Sequence, residues 1–170
     1  MKTGTEIRRM TAADLERVLA LADSLPEAPH WSQSAWLNAL NSQIDPESTP
    51  RRIAIVAAGP QPGSIHGYAV ASLLPPQAEL ETIAVAPESQ RQGLGQLLFR
   101  ASAAELKAAG VDELLLEVRA SNRPALAFYR TLGFVKTGLR PGYYVDPIED
   151  AIQMRLLLAE KLSWAPVESA

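Results

Sequence analysis

The sequence contains no cysteine. That excludes a disulfide framework, a thiolate nucleophile and a cysteine-ligated metal. Its only histidines, His30 and His66, lie far apart and fit no metal-ligand spacing, so both read as surface or loop residues. No apolar run approaches the roughly 18 residues that a membrane-crossing helix needs. The opening Met1-Lys2-Thr3-Gly4-Thr5-Glu6 lacks an apolar signal core, which makes a cytoplasmic location the expectation. An excess of either charge is also missing. Sixteen basic against 19 acidic residues leave a net charge of −3, with no general drive toward nucleic acid or an anionic membrane. There is no internal repeat.

What is present describes one globular domain. The 170 residues are 47% hydrophobic and 21% charged, enough for a substantial core. The expected domain covers residues 1–158, with a C-terminal tail over 159–170 whose Trp164 is its one candidate for surface docking.

The periodicity predicts a short strand over 7–10, then a helix capped by Thr11, with Asp14 as its capping-box partner and Met10 and Leu15 as a hydrophobic staple. Leu15, Val18, Leu19 and Ala22 form its buried face. A second short helix is expected from Ser32 or Ser34 to Leu40, and strands over 52–58, 65–74 and 78–86, the last with a bulge near Glu81 and Thr82. A helix beginning near Leu94 ends at Gly110, an apolar strand covers 114–118, and a helix opening at Asn122-Arg123-Pro124 ends at Gly133. A final strand pair is expected over 134–139 and 151–158, with Gly142-Tyr143-Tyr144 in a loop between them. A hairpin series followed by strand-helix-strand-helix-strand predicts a mixed α/β sheet.

The most informative stretch is Gln90-Arg91-Gln92-Gly93-Leu94-Gly95-Gln96, between a strand ending Ile83-Ala84-Val85 and an amphipathic helix. Two glycines allow close backbone approach. The helix start offers unpaired N–H groups and about +0.5 of partial charge, a setting that binds phosphate or pyrophosphate. A Walker loop needs Gly-Lys-Ser/Thr, but Gly95 precedes Gln96 and Leu97. A dinucleotide fingerprint needs a small third residue, and that position holds Leu98.

Gln-x-x-Gly-x-Gly after Ile-Ala-Val resembles the pyrophosphate loop of the GNAT acetyltransferases. The later segments extend the likeness: Leu116-Glu117-Val118-Arg119-Ala120-Ser121-Asn122, Phe128-Tyr129-Arg130-Thr131-Leu132-Gly133-Phe134, Gly142-Tyr143-Tyr144, and Glu149-Asp150-Ala151. Over residues 78–158 the chain is similar to the RimI branch, bacterial enzymes that acetylate the N-terminal alanine of a ribosomal protein. Two acceptor-side positions depart from that pattern: His30 stands where an aromatic is usual, and Val145 where proline is frequent.

The resemblance implies an α/β fold of GNAT type. Its central sheet would be mixed and mostly antiparallel, of about seven strands with flanking helices, and a splayed parallel pair would hold acetyl-coenzyme A. It implies acetyl-CoA as co-substrate, no metal, and a protein or peptide N-terminus, such as that of a ribosomal protein, as partner, with no nucleic acid or membrane. Ile83, Ala84 and Val85 would offer backbone groups to the pantetheine arm. Arg91, Gln92, Gly93, Leu94, Gly95 and Gln96 would surround the pyrophosphate, and Asn122 would both cap its helix and contact the arm. Glu117, a carboxylate in an otherwise Leu/Val run, would take the amine proton, and Tyr129 would protonate the thiolate. Tyr143, Tyr144 and Trp31 would line the acceptor groove.

Each role has a simpler rival. Glu117 could be ion-paired with Arg119 or another cation, Tyr129 could be a core aromatic beside Leu126 and Leu132, and Asn122 could be a cap alone. Tyr143, Tyr144 and Trp31 could be packing residues. Three functions stay open: an N-terminal protein acetyltransferase, a GNAT enzyme for a small amine or amino acid, and a non-catalytic acyl-CoA binding module.

Overall fold

The computed structural model describes residues 4–158 apart from 46, 48 and 49, so the tail and Trp164 lie outside the described residues. In chain order the elements are β1 (Glu6–Arg9), α1 (Leu15–Ser24), α2 (Gln33–Ile44), β2 (Arg51–Ala58), β3 (Ile65–Leu74), β4 (Gln77–Val85), α3 (Leu94–Ala108), β5 (Glu113–Arg119), α4 (Arg123–Leu132), β6 (Val135–Val145) and β7 (Ile148–Leu157). A single seven-stranded sheet has the order β1-β2-β3-β4-β5-β7-β6.

The strands through the middle are buried on both faces, and their alternation divides the core in two. Ile53, Ile55 and Ala57 of β2, with Ala69, Ala71 and Leu73 of β3, face α3 and α4 through Leu98, Phe99, Leu106, Leu126 and Leu132. Ala54 and Val56, with Tyr68 and Val70, face α1 and α2 through Val18, Ala22, Trp36 and Leu40. The period of two carries both sets.

Local chemistry fixes the N-terminal layer. Asp14, only 4% exposed, accepts from the Thr11 N–H at 2.9 Å and the Thr11 hydroxyl at 3.0 Å. Arg8 donates to both its oxygens at 2.7 and 2.8 Å. The Arg8 hydrogen bond is the main cause holding the Asp14 carboxyl below the usual carboxylate range. Met10 and Leu15 are both buried in the same cluster.

All sheet pairings are antiparallel except β4 with β5. The bulge falls where the alternation predicts it: Val70 pairs with Thr82 and Ala71 with Leu80, so Glu81 has no partner of its own. The parallel pair has only three rungs, Gln77–Glu113, Ala78–Leu114 and Glu79–Leu115. Beyond Glu79 and Leu115 the strands part, and each continues with one edge unpaired by the other.

The last hairpin corrects the sequence reading. Tyr143 and Tyr144 belong to β6, which runs on to Val145. Arg140 pairs with Ala151 and Tyr144 with Glu149, so Pro141, Gly142 and Tyr143 bulge opposite Asp150. Gly142 takes φ +60°, and its N–H donates to Asp150 Oδ1 at 2.9 Å. The breakers Pro141-Gly142 therefore make a bulge within a strand rather than a loop.

Candidate active site

Two cavities open where β4 and β5 part. One, of about 640 Å³, is lined by the Gln90–Gln96 turn, the first turn of α3 and the face of α4 bearing Phe128 and Tyr129. The other, of about 670 Å³, is lined by residues 25–30 between α1 and α2, by Glu117, Val118, Arg119 and Asn122, and by Tyr144 and Asp146. Ile83, Ala84, Val85, Gln90, Ala125 and Tyr129 line both, so the end of β4 and the Tyr129 ring form the shared wall.

The first cavity joins a helix N-terminus to a mainly apolar wall. Arg91 and Gly93 both take left-handed backbone, with φ +57° and +80°. Leu94, Gly95 and Gln96 form the first turn of a 15-residue helix, so their N–H groups have no acceptor inside it. The first helical N–H to find one is that of Leu97, bonded to Gly93 O at 3.1 Å. The two glycines serve different needs. A Cβ at Gly93 would meet nothing within 4 Å, so the requirement there is conformational. A Cβ at Gly95 would lie 3.3 Å from Phe128 Cζ and 3.7 Å from Val85 Cγ2, so the requirement there is space. The glutamines brace the turn: Gln90 donates to Val85 O and Gln92 to Glu88 O, both at 3.1 Å. Gln92 is not part of the cavity wall.

Glu117 stands two residues beyond the last β4–β5 rung, on the same face as Glu79 and Leu115. Its Oε1 accepts from Arg140 Nη1 at 2.8 Å and from Gln153 Nε2 at 3.2 Å. Gly138 makes the second bond possible, since a Cβ there would lie 2.6 Å from Gln153 Oε1. A hydrogen bond to Glu117 is also the main cause raising the Tyr143 hydroxyl above its ordinary pKa. The cation paired with Glu117 is thus Arg140, whose guanidinium also lies 4.3 Å over the Tyr143 ring. Arg119 instead pairs with Glu149. Glu79 belongs to the same group: burial first, then the charges of Glu81 and Glu117, push its carboxyl above the usual value.

Tyr129 packs 5.6 Å from Phe128 and 5.7 Å from Phe134. Burial holds its hydroxyl pKa above the ordinary tyrosine value, so the phenol stays protonated through physiological pH. Asn122 caps α4, accepting from Ala125 N at 3.1 Å, and lines the second cavity rather than the first. Tyr144 lines the second cavity, whereas Tyr143 is 43% exposed beside it. Trp31 packs on Trp36 with centroids 4.9 Å apart, and it is His30, not Trp31, that reaches the cavity wall. Arg140, Gln153, Glu79 and the Arg119–Glu149 pair were not singled out from sequence. Only the pairing register of β4, β5, β6 and β7 brings them together.

The sequence matches the acetyltransferase (GNAT) family over residues 15–134. The chain belongs to the GNAT acetyltransferase family. GNAT relatives include the Escherichia coli (strain K12) [ribosomal protein bS18]-alanine N-acetyltransferase, 45% identical over 98 residues. That match spans 56% of this chain and 66% of the E. coli enzyme's length. A Bacillus subtilis (strain 168) protein that carries the same name provisionally is 30% identical over 160 residues, covering 94% of this chain and all of its own. The crystal structure of the E. coli ribosomal-protein-S18-alanine N-acetyltransferase superimposes with a TM-score of 0.75 at 32% identity, over 98% of this chain and 99% of that one. The seven-stranded mixed sheet with its splayed parallel pair is the GNAT fold.

Proposed function

We propose that this protein transfers an acetyl group from acetyl-coenzyme A to the N-terminal α-amine of a protein, a ribosomal protein of the bS18 kind being the favoured acceptor, in the cytoplasm. The observation that carries the reading is the meeting of two cavities at the parted strands, with Tyr129 in the shared wall and Glu117 on the acceptor side. The names of the similar enzymes supply the acceptor class.

Acetyl-CoA supplies the activated thioester. The Arg91–Gln96 turn and the start of α3 hold its pyrophosphate, and the open edge of β4 from Ile83 to Val85 receives the arm as an added strand would. An N-terminal amine has a pKa near 8, so a modest base suffices. Glu117 takes the amine proton, directly or through a water, as the nitrogen bonds to the acyl carbon. Tyr129, kept protonated by burial, gives its proton to the sulfur as the C–S bond breaks. Both groups then exchange protons with solvent, and no covalent enzyme intermediate forms.

The test is a panel of peptides and small amines assayed with acetyl-CoA, the product located by mass spectrometry. Peptides beginning with Ala or Ser should be acetylated on the α-amine, and a lysine side chain in the same peptide should be a poor acceptor. Acetylation confined to lysine side chains or to free small amines would overturn the acceptor assignment and leave the family intact.

A further inference from the structure

One wall of the acceptor cavity overhangs the sheet. The last β5–β7 rung is Arg119–Ala151, while the β6–β7 hairpin continues to Val145–Ile148. Tyr144 and Asp146, on this overhang, line the acceptor cavity. Apolar burial does not anchor the tip, because Val145 and Ile148 are each 81% exposed. Polar contacts from the end of β5 do. Arg119 Nη2 donates to Asp146 O at 3.1 Å, and Nη1 to Pro147 O at 3.4 Å and Glu149 Oε2 at 3.3 Å. The guanidinium carbon lies 4.1 Å over the Tyr144 ring. Glu149 accepts in turn from Ser121 N, and Asp150 O from Ala120 N.

We propose that Arg119 is a positioning residue for the acceptor. It clamps the hairpin tip so that Tyr144 and Asp146 present a fixed wall to the incoming chain, an inference that rests on the peptide-acceptor reading above. The side chain suits the task because a planar guanidinium can fork to several oxygens while stacking on a ring, which a lysine ammonium cannot do together. The residue itself lines the acceptor cavity beside Tyr144 and Asp146, and it is not part of the donor cavity's wall.

Steady-state kinetics on an Ala-terminated peptide tests this. Arg119→Met should raise the peptide KM about tenfold, with a smaller fall in kcat, while calorimetry finds the acetyl-CoA Kd unchanged. Arg119→Lys should stay close to the Met variant, and Glu149→Gln should move the peptide KM the same way by less. Circular dichroism establishes that each variant is folded. A wild-type peptide KM in Arg119→Met, recovery by lysine, or parallel weakening of both substrates would overturn the clamp. Hydrogen–deuterium exchange across 142–150 gives a readout independent of the acceptor. Exchange there should quicken about tenfold in Arg119→Met. If no peptide is a substrate of the wild type, the acceptor reading fails; unchanged exchange would refute the clamp whatever the acceptor.

Discussion

Gly95→Val separates a spatial from a conformational requirement in the phosphate turn. Any Cβ at position 95 sits 3.3 and 3.4 Å from Phe128 Cζ and Cε2, tighter than ordinary contact, and valine adds two methyl groups beyond it. Overpacking of this kind costs about 1–3 kcal/mol. Phe128 can relieve the strain only by moving, and it lines the donor cavity. The strain should therefore appear as lost ligand space: a tenfold loss corresponds to about 1.4 kcal/mol, so the acetyl-CoA Kd should rise about ten- to a hundredfold. Gly95→Ala needs a shift of only a few tenths of an ångström and should lose less. Gly93→Ala makes no new contact, but it places a side chain at φ +80°, so about 1–2 kcal/mol should appear as lost stability. Calorimetry for Kd and thermal unfolding with and without acetyl-CoA read the two effects separately. A folded Gly95→Val that binds acetyl-CoA as the wild type does would show that the turn is not the phosphate site.

Glu117→Gln and Tyr129→Phe should keep acetyl-CoA affinity by calorimetry while each loses about 10²-fold in turnover; full turnover in Tyr129→Phe with chemistry rate-limiting would make the tyrosine structural. Gly138→Ala should push the Gln153 carboxamide off Glu117, and because only a flexible side-chain end must give, turnover should fall several-fold with little change in Tm. Asp14→Asn should cost about 1–2 kcal/mol at pH 7, because the charge paired with Arg8 is lost while an amide oxygen can still accept from Thr11; thermal unfolding reads it. Since the folded Asp14 carboxyl is depressed, that advantage is present above its ordinary pKa near 3.9 and should shrink steadily as pH falls below it; a gap independent of pH would refute the ion-pair account.

What the sequence revealed was local. Thr11 and Asp14 lie three residues apart, so their cap is written in one turn of chain. The Glu81 bulge shows as a fault in a period of two, and the glycine turn sits between a strand and a helix that each announce themselves. The surroundings of Glu117 were not legible. Arg140 and Gln153 lie 23 and 36 residues away in the chain, and they meet the carboxylate only because β7 inserts between β5 and β6 in one register. Tyr143 and Tyr144 were misplaced because Pro141-Gly142 looks the same in a loop and in a bulge until the partner strand is known. Trp31 gave no local sign of whether Trp36 or the cavity would claim it.

The parallel pair that stops after three rungs leaves two strand edges in the middle of the protein instead of at its rim. Elsewhere a sheet keeps such edges short, charged or covered, because an open row of amides and carbonyls invites another chain. Here the neighbouring strands and helices line the cavities that open beside it. The same gap should make some amides of β4 past Glu79 exchange with solvent sooner than their central position suggests, and slow once a ligand takes the missing strand's place. On the proposed reading, recognition at this site is, in backbone terms, the repair of a sheet left unfinished.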